Sequence, residues 1–191
     1  MAHSNKIKRD LFRLLKSQAY CEGRFKLSSG KISNYYIDCR KVTLTSQGAY
    51  LSAMLILEAI RGKKVDAVGG PTIGADPIVG AVSVLSLIKR KKTLKAFLVR
   101  KSAKAHGLGR QIEGPELKRG SRVVVVDDVA TTGGSILDAI ACLRKKGIKV
   151  EAVIVLVDRN DGAAQRLRKA RCKFLPIFNI REFHSSKLIS K

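Results

Sequence analysis

Aromatic side chains make up 5% of the 191 residues, and tryptophan is absent. That argues against a protein that stacks unpaired bases on exposed rings. Proline occurs four times, so with 45% hydrophobic residues the chain reads as a compact globule rather than a Pro-rich linker. Cysteine is also sparse. Cys21, Cys39, Cys142 and Cys172 lie far apart with no Cys-x-x-Cys and no histidine pair beside them, which disfavours both a zinc framework and disulfides. No apolar run reaches membrane-spanning length, and Met1 to Arg13 lack the apolar core of a signal peptide, so a cytoplasmic location and no membrane partner are expected. Repeats and low-complexity segments are missing. Acidic residues are few, 15 against 38 Lys and Arg, for a net charge of +23. The cations gather at Lys89–Lys92, at Arg144–Lys146 with Lys149, and at 166–173. Such a surface attracts polyanions. Because the runs fall at expected helix ends, where lysine is commonplace, they read mainly as solvated surface, with nucleic acid the less favoured alternative.

What is present centres on Val123–Ser135. Four valines read as a buried strand, and Gly133-Gly134-Ser135 followed by Ile136, Leu137, Ile140 and Leu143 reads as a helix opening directly after it. Between them lie two carboxylates, Asp127 and Asp128, then Val129, Ala130 and the hydroxyls of Thr131 and Thr132. A loop at the carboxyl end of a strand is where ligands bind in open α/β sheets, and the helix start offers unpaired N–H groups to a phosphate. Adjacent carboxylates suit ribose hydroxyls or a hydrated magnesium ion. An ordinary strand, turn and capped helix would leave the two acids merely solvated, but the acids together with Thr-Thr-Gly-Gly-Ser favour a sugar-phosphate site. Neither a Walker loop nor the Gly-x-Gly-x-x-Gly fingerprint is present.

Elsewhere an amphipathic helix is expected over 6–18, extended segments at Phe25–Leu27 and Tyr35–Asp38, and a helix from a Thr45-Ser46 cap to Ile60. Strands and helices then alternate: Val65–Val68, Asp76–Ile88, Leu94–Val99, Val123–Val126, the helix after Gly134, Val150–Val157, Ala163–Lys169 and Phe174–Ile177. This pattern predicts an α/β fold, an open parallel sheet with helices on both faces, with a small N-terminal hood beside it. The expected organisation is one domain, 1–191: hood and N-terminal helix over about 1–44, core over 45–191, and a mobile lid at 101–114. The lid expectation rests on the long interval after Arg100, dense in cations and punctuated by Gly107 and Gly109, which suits closure over an anionic substrate; an exposed basic loop is the plainer reading.

Five segments together carry a family resemblance. Val123–Ser135 resembles the diphosphoribosyl signature of the type I phosphoribosyltransferases. Arg100-Lys101-x-x-Lys104-x-His106-Gly107 is similar to the catalytic loop of the orotate phosphoribosyltransferases, and the segment Phe25 to Arg40 to their N-terminal segment. Gly69–Pro77 resembles their pyrophosphate loop, and Val157-Asp158-Arg159 their orotate-binding strand end. The resemblance implies transfer of ribose 5-phosphate from phosphoribosyl pyrophosphate to orotate, a step of pyrimidine biosynthesis that gives orotidine 5′-monophosphate and pyrophosphate. It places Lys104, His106 and Asp128 in catalysis. Phosphoribosyl pyrophosphate would be held by Arg100, Lys101, Lys104, His106 and Asp127 through Ser135, including Asp128, Val129, Ala130, Thr131, Thr132, Gly133 and Gly134; orotate would be held by Thr131 and Arg159. The implied cofactor is Mg2+, carried mainly by the substrate with no certain protein ligand, and the implied assembly is a homodimer sharing the lid. Many relatives carry lysine at the position of Ser28 and some at that of Gly74; Lys26, on the same face as Ser28 in an extended segment, is a candidate replacement, with an ordinary exposed lysine the favoured reading. The alternatives are a type I enzyme for a purine or uracil, and a non-catalytic phosphoribosyl-pyrophosphate sensor that binds nucleic acid.

Overall fold

The computed structural model describes residues 2–26, 30, 32–90, 93–101 and 111–184. The chain opens with α1 (Ala2–Leu14), one turn of π-helix (Leu15–Ala19), and an antiparallel pair, β1 (Tyr20–Lys26) and β2 (Ile32–Ile37). Next come α2 (Arg40–Thr43), α3 (Ser46–Ala59), β3 (Ala67–Pro71), α4 (Asp76–Arg90), β4 (Lys95–Val99) and β5 (Ile112–Glu113). The remainder is β6 (Arg122–Ala130), α5 (Gly134–Lys145), β7 (Lys149–Asp158), α6 (Ala163–Lys169), β8 (Phe174–Asn179) and α7 (Ile180–His184). The larger sheet has the order β5-β4-β3-β6-β7-β8 and is parallel except for β5, which pairs antiparallel with β4.

Period-two alternation along β6 and β7 builds the layers. Val124, Val126, Ile154 and Leu156 face the side covered by α1, α3 and α4. Val123, Val125, Val153 and Val155 face the side covered by α5 and α6. All eight are 0% exposed, and each contributes about 1.5–3 kcal/mol of burial. Helices therefore lie on both faces, as the alternation requires. Thr45 caps α3 as expected, its hydroxyl accepting from the Gly48 amide at 3.1 Å.

Several boundaries differ from the sequence expectation. β6 continues through Asp127 and Asp128 to Ala130, so the acids stand on the strand and not in the loop after it. The cause is β7, which pairs Asp127 with Val155, Val129 with Val157 and Ala130 with Asp158. β1 starts at Tyr20, earlier than the apolar pattern indicates, because β2 supplies partners down to Ile37. α7, absent from the sequence reading, buries Ile180 and Phe183; the Phe183 ring lies 4.8 Å from that of Phe12 on α1. Ile112–Glu113, within the stretch expected to be lid, form the antiparallel edge strand. Among the described residues no helix is long and apolar enough to cross a membrane.

Candidate active site

The carboxyl ends of β3, β4, β6 and β7 point to one rim of the sheet, and most of the residues singled out from sequence reach it. Asp127 is 6% exposed and Asp128 partly buried. Asp127 Oδ1 accepts from the Asp128 amide at 3.0 Å, and Asp128 Oδ1 from the Val129 amide at 2.7 Å. Burial, then the charge of Asp128, pushes the Asp127 carboxyl well above the usual carboxylate range. Burial also raises Asp128, opposed by the Val129 amide and by the Arg40 guanidinium. A Cβ built on Gly74 would run into Oδ1 of both acids. The position where some relatives carry lysine is thus occupied here by the acids themselves, closed over a bare backbone.

An ionised Asp127 is costly in this setting. Its folded pKa is raised, so its contribution to stability is fully present below the unfolded value and is lost as pH rises through the folded one. Asp127→Asn keeps the Oδ1 acceptor and cannot ionise. Its melting midpoint at pH 7–8 is expected to exceed the parent's by a few degrees, about 2–4 °C per kcal/mol for a chain of this size. The gain should close as pH falls toward about 4; melting curves across pH that run parallel would contradict the assignment.

Downstream of Ala130, Thr131 and Thr132 lead into Gly133, whose φ of +74° puts the chain in the left-handed region that glycine accepts readily. Gly133 takes the N-cap position of α5 with no side-chain cap. The first-turn amides of Gly134, Ser135 and Ile136, left unpaired by the helix geometry, are available to an anion. Arg166, on α6, donates to the Thr132 carbonyl at 3.0 Å and places a cation beside this turn. From sequence it reads only as the start of the basic run at 166–173.

Arg159 follows β7 directly, and its amide donates to the Ala130 carbonyl at 2.9 Å, so it stands beside Thr131. Its side chain is only 9% exposed, with Asp161 Oδ2 3.4 Å from Nε. Nε donates to the Tyr35 hydroxyl at 3.2 Å, and the guanidinium carbon lies 4.9 Å from the Tyr35 ring centroid. Among the described residues its two terminal amino groups have no hydrogen-bond partner, which leaves the end of the fork free for a carboxylate. Tyr35 is packed in turn: its ring meets that of His184 edge-on at 4.9 Å, and the Tyr20 ring, stacked at 6.0 Å, hydrogen-bonds His184 Nδ1 through its hydroxyl at 2.9 Å. Burial, then Glu22, pushes the Tyr20 phenol up to about 12, so it stays protonated. Sequence reading quoted Tyr35 within a motif without giving it a role; the contact spans 124 positions.

Arg100 directly follows β4 beside Glu113, at 3.8 Å, and is joined to Gln111 by two hydrogen bonds, Arg100 N to Gln111 O at 2.9 Å and Gln111 Nε2 to Arg100 O at 3.1 Å. The chain thus leaves and re-enters the sheet edge at one point, with Lys101 exposed at the exit. Lys104 and His106 lie outside the described residues, as does Ser28; Lys26 ends β1, exposed. Beside the acids a cavity of ≈ 520 Å³ is lined by Asp38, Arg40, Ile73 and Asp76, among others. Arg40 and Asp38 form a bidentate pair at 2.8 and 3.0 Å that holds the Asp38 carboxyl below its ordinary range.

Comparison with known proteins bears on this arrangement. Residues 46–185 match the model of the phosphoribosyl transferase domain. The orotate phosphoribosyltransferase of Streptomyces coelicolor is 45% identical over 163 residues, 85% of this chain and 88% of that protein. That of Thermosynechococcus vestitus is 44% identical over 179 residues, 94% of each. The crystal structure of Mycobacterium tuberculosis orotate phosphoribosyltransferase in complex with 5-phospho-α-D-ribosyl 1-diphosphate superposes with a TM-score of 0.78 at 31% identity, covering 94% of this chain and 99% of that one. With a family model over most of its length and relatives this similar end to end, the chain belongs to the phosphoribosyl transferase family, in its orotate phosphoribosyltransferase branch.

Proposed function

We propose that the protein transfers ribose 5-phosphate from phosphoribosyl pyrophosphate to N1 of orotate, releasing pyrophosphate. The observation that carries the choice of base is Arg159: a nearly buried guanidinium, fixed through Nε and open at its far end, beside Thr131. A carboxylate-bearing pyrimidine satisfies that fork, whereas uracil, hypoxanthine and adenine leave it unpaired at a desolvation cost. The 5′-phosphate sits on Ala130–Ser135, a segment that offers it the first-turn amides of α5 and the hydroxyls of Thr131, Thr132 and Ser135. Asp127 and Asp128 hold the ribose hydroxyls. Loss of pyrophosphate leaves positive charge on the ribose and adds negative charge to the leaving group, so Arg100, Lys101, Lys104 and His106 act electrostatically from the lid. Initial rates of pyrophosphate release with the four bases test the reading: orotate alone is expected to turn over rapidly, and a preference for any other base would overturn it.

A magnesium ion fits this site in one way. Asp127 and Asp128, whose Oδ1 atoms both approach Gly74, would hold it together with oxygens of the substrate. When bound, the ion neutralises charge building on the diphosphate. Activity is expected to vanish with EDTA and return with Mg2+. The enzyme works in the cytoplasm as a homodimer whose lids cross between subunits. Val84, Leu87 and Ile88, 60, 59 and 63% exposed on α4, offer an apolar face of the kind a second copy covers; sedimentation reading a monomer mass for active enzyme would reject the dimer.

Tyr35 orients the fork for orotate. Tyr35→Phe removes the acceptor for Arg159 Nε and is expected to raise the Michaelis constant for orotate about 2- to 10-fold, the size of one hydrogen bond. Tyr35→Leu also removes the ring face and should raise it further, with that for phosphoribosyl pyrophosphate unchanged in both. Equal rises for the two substrates would assign Tyr35 to general packing.

A further inference from the structure

We propose that the pole of the molecule opposite the active site docks double-stranded nucleic acid through its phosphate backbone, without reading bases. In a parallel strand-helix alternation, strands begin and helices end on the edge away from the ligand rim. Three basic stretches scattered in sequence meet on that edge. The Gly120 amide donates to the Gly147 carbonyl at 2.9 Å and the Lys149 amide to the Ser121 carbonyl at 2.8 Å, which joins 118–122 to 144–149. Arg144 donates to the Ala170 carbonyl at 2.9 Å and to Cys172 Sγ at 3.1 Å, joining 144–149 to 168–173.

None of these stretches contains an aspartate or glutamate. Lys118 and Arg119 come from the first, Lys145, Lys146 and Lys149 from the second, and Arg168, Lys169, Arg171 and Lys173 from the third; all are exposed. Among the described residues none of them forms an ion pair. Glu151, the nearest acid on β7, is taken by Arg122 at 2.9 Å through both oxygens. Complementing helix dipoles accounts for Lys145, Arg168 and Lys169 in the last turns of α5 and α6. It does not account for Lys118, Arg119, Lys149 and Lys173, which lie outside any helix.

What the pole lacks selects the partner. The exposed large apolar residues, among them Tyr36, Tyr50, Val84 and Leu87, all lie outside the three stretches. A protein interface needs apolar or aromatic anchors, membrane insertion needs an apolar face, and single strands need rings for stacking. Bare cations suffice for a duplex backbone, whose condensed counterions they release.

Fluorescence anisotropy of the full chain with a random-sequence DNA duplex of about 20 base pairs, between about 50 and 200 mM KCl, tests this. The logarithm of affinity is expected to fall linearly with that of salt, with a slope of about −3 or steeper. Lys145→Glu with Lys146→Glu and Lys149→Glu should weaken binding at least tenfold. Lys6→Glu with Arg9→Glu and Arg13→Glu, the same charge change on α1, should weaken it far less, with orotate turnover retained in both. Should the first variant fail to fold, the milder Lys169→Gln with Lys173→Gln must still weaken binding and flatten the slope. Equal losses from pole and α1, or tighter binding to a single strand of the same length or to phosphatidylserine vesicles, overturns the proposal.

Discussion

Replacing Arg159 by alanine is expected to raise the Michaelis constant for orotate by about thirtyfold to several thousandfold, while that for phosphoribosyl pyrophosphate stays near the parent value. The side chain is 9% exposed, so the substrate carboxylate and the guanidinium meet largely out of water. Truncating one partner of such a pair costs about 2–5 kcal/mol, much of it the penalty of leaving the other charge unpaired. Arg159→Lys separates charge from geometry. It keeps the cation but has neither the planar fork nor an Nε for Tyr35 to hold, so most of the loss should persist. Steady-state kinetics with each substrate varied in turn would measure both. An unchanged constant for orotate in Arg159→Ala would remove the carboxylate assignment and reopen the purine and uracil readings.

Lys104→Ala is expected to act on the rate instead. The lysine is needed most as negative charge accumulates on departing pyrophosphate, so its loss removes an interaction stronger in the transition state than in the ground state. Removing one such electrostatic contact typically costs about 10²–10³ in turnover. Binding of orotidine 5′-monophosphate, which has no pyrophosphate, should survive nearly intact. Stopped assays for turnover and equilibrium titration of the nucleotide give the two numbers. Parent-like turnover would take Lys104 out of catalysis, and equal losses in rate and nucleotide binding would make it a binding residue only.

The parts of the site that lie within one continuous segment were legible from sequence. Val123–Val126 announced a strand, Gly133 and Gly134 a turn into a helix, and Thr45 a cap, because each is a local preference that the fold leaves undisturbed. The extent of β6 was not legible. A pair of acids reads as the end of a strand, yet β7 runs ten residues and holds Asp127 opposite Val155 regardless. Tertiary pairing overrode composition there, as it did at Tyr20, where β2 extends β1 upstream. Two-residue β5 carries too little pattern to register alone. Most of what was missed is contact across sequence distance: Tyr35 with Arg159, Arg166 with Thr132, and the convergence of 118–122, 144–149 and 168–173. In one dimension the runs at 144–149 and 166–173 read as separate helix ends, and 118–122 does not stand out. Only the parallel topology places them on one edge.

The contact between Tyr35 and Arg159 also makes hood docking and base binding a single thermodynamic cycle. Tyr35 belongs to β2, and its ring is braced by Tyr20 of β1 and His184 of α7, whereas Arg159 belongs to the end of β7. Any motion that lifts β2 from the sheet rim frees the guanidinium, and any ligand that fixes the guanidinium makes that lift costlier by the same free energy. Orotate affinity is therefore a gauge of how firmly the hood is seated. Amide exchange along β2 should slow when orotate binds Arg159, and a substitution that loosens the Phe12–Phe183 packing beneath the hood should surface as weakened affinity for a base that neither ring touches.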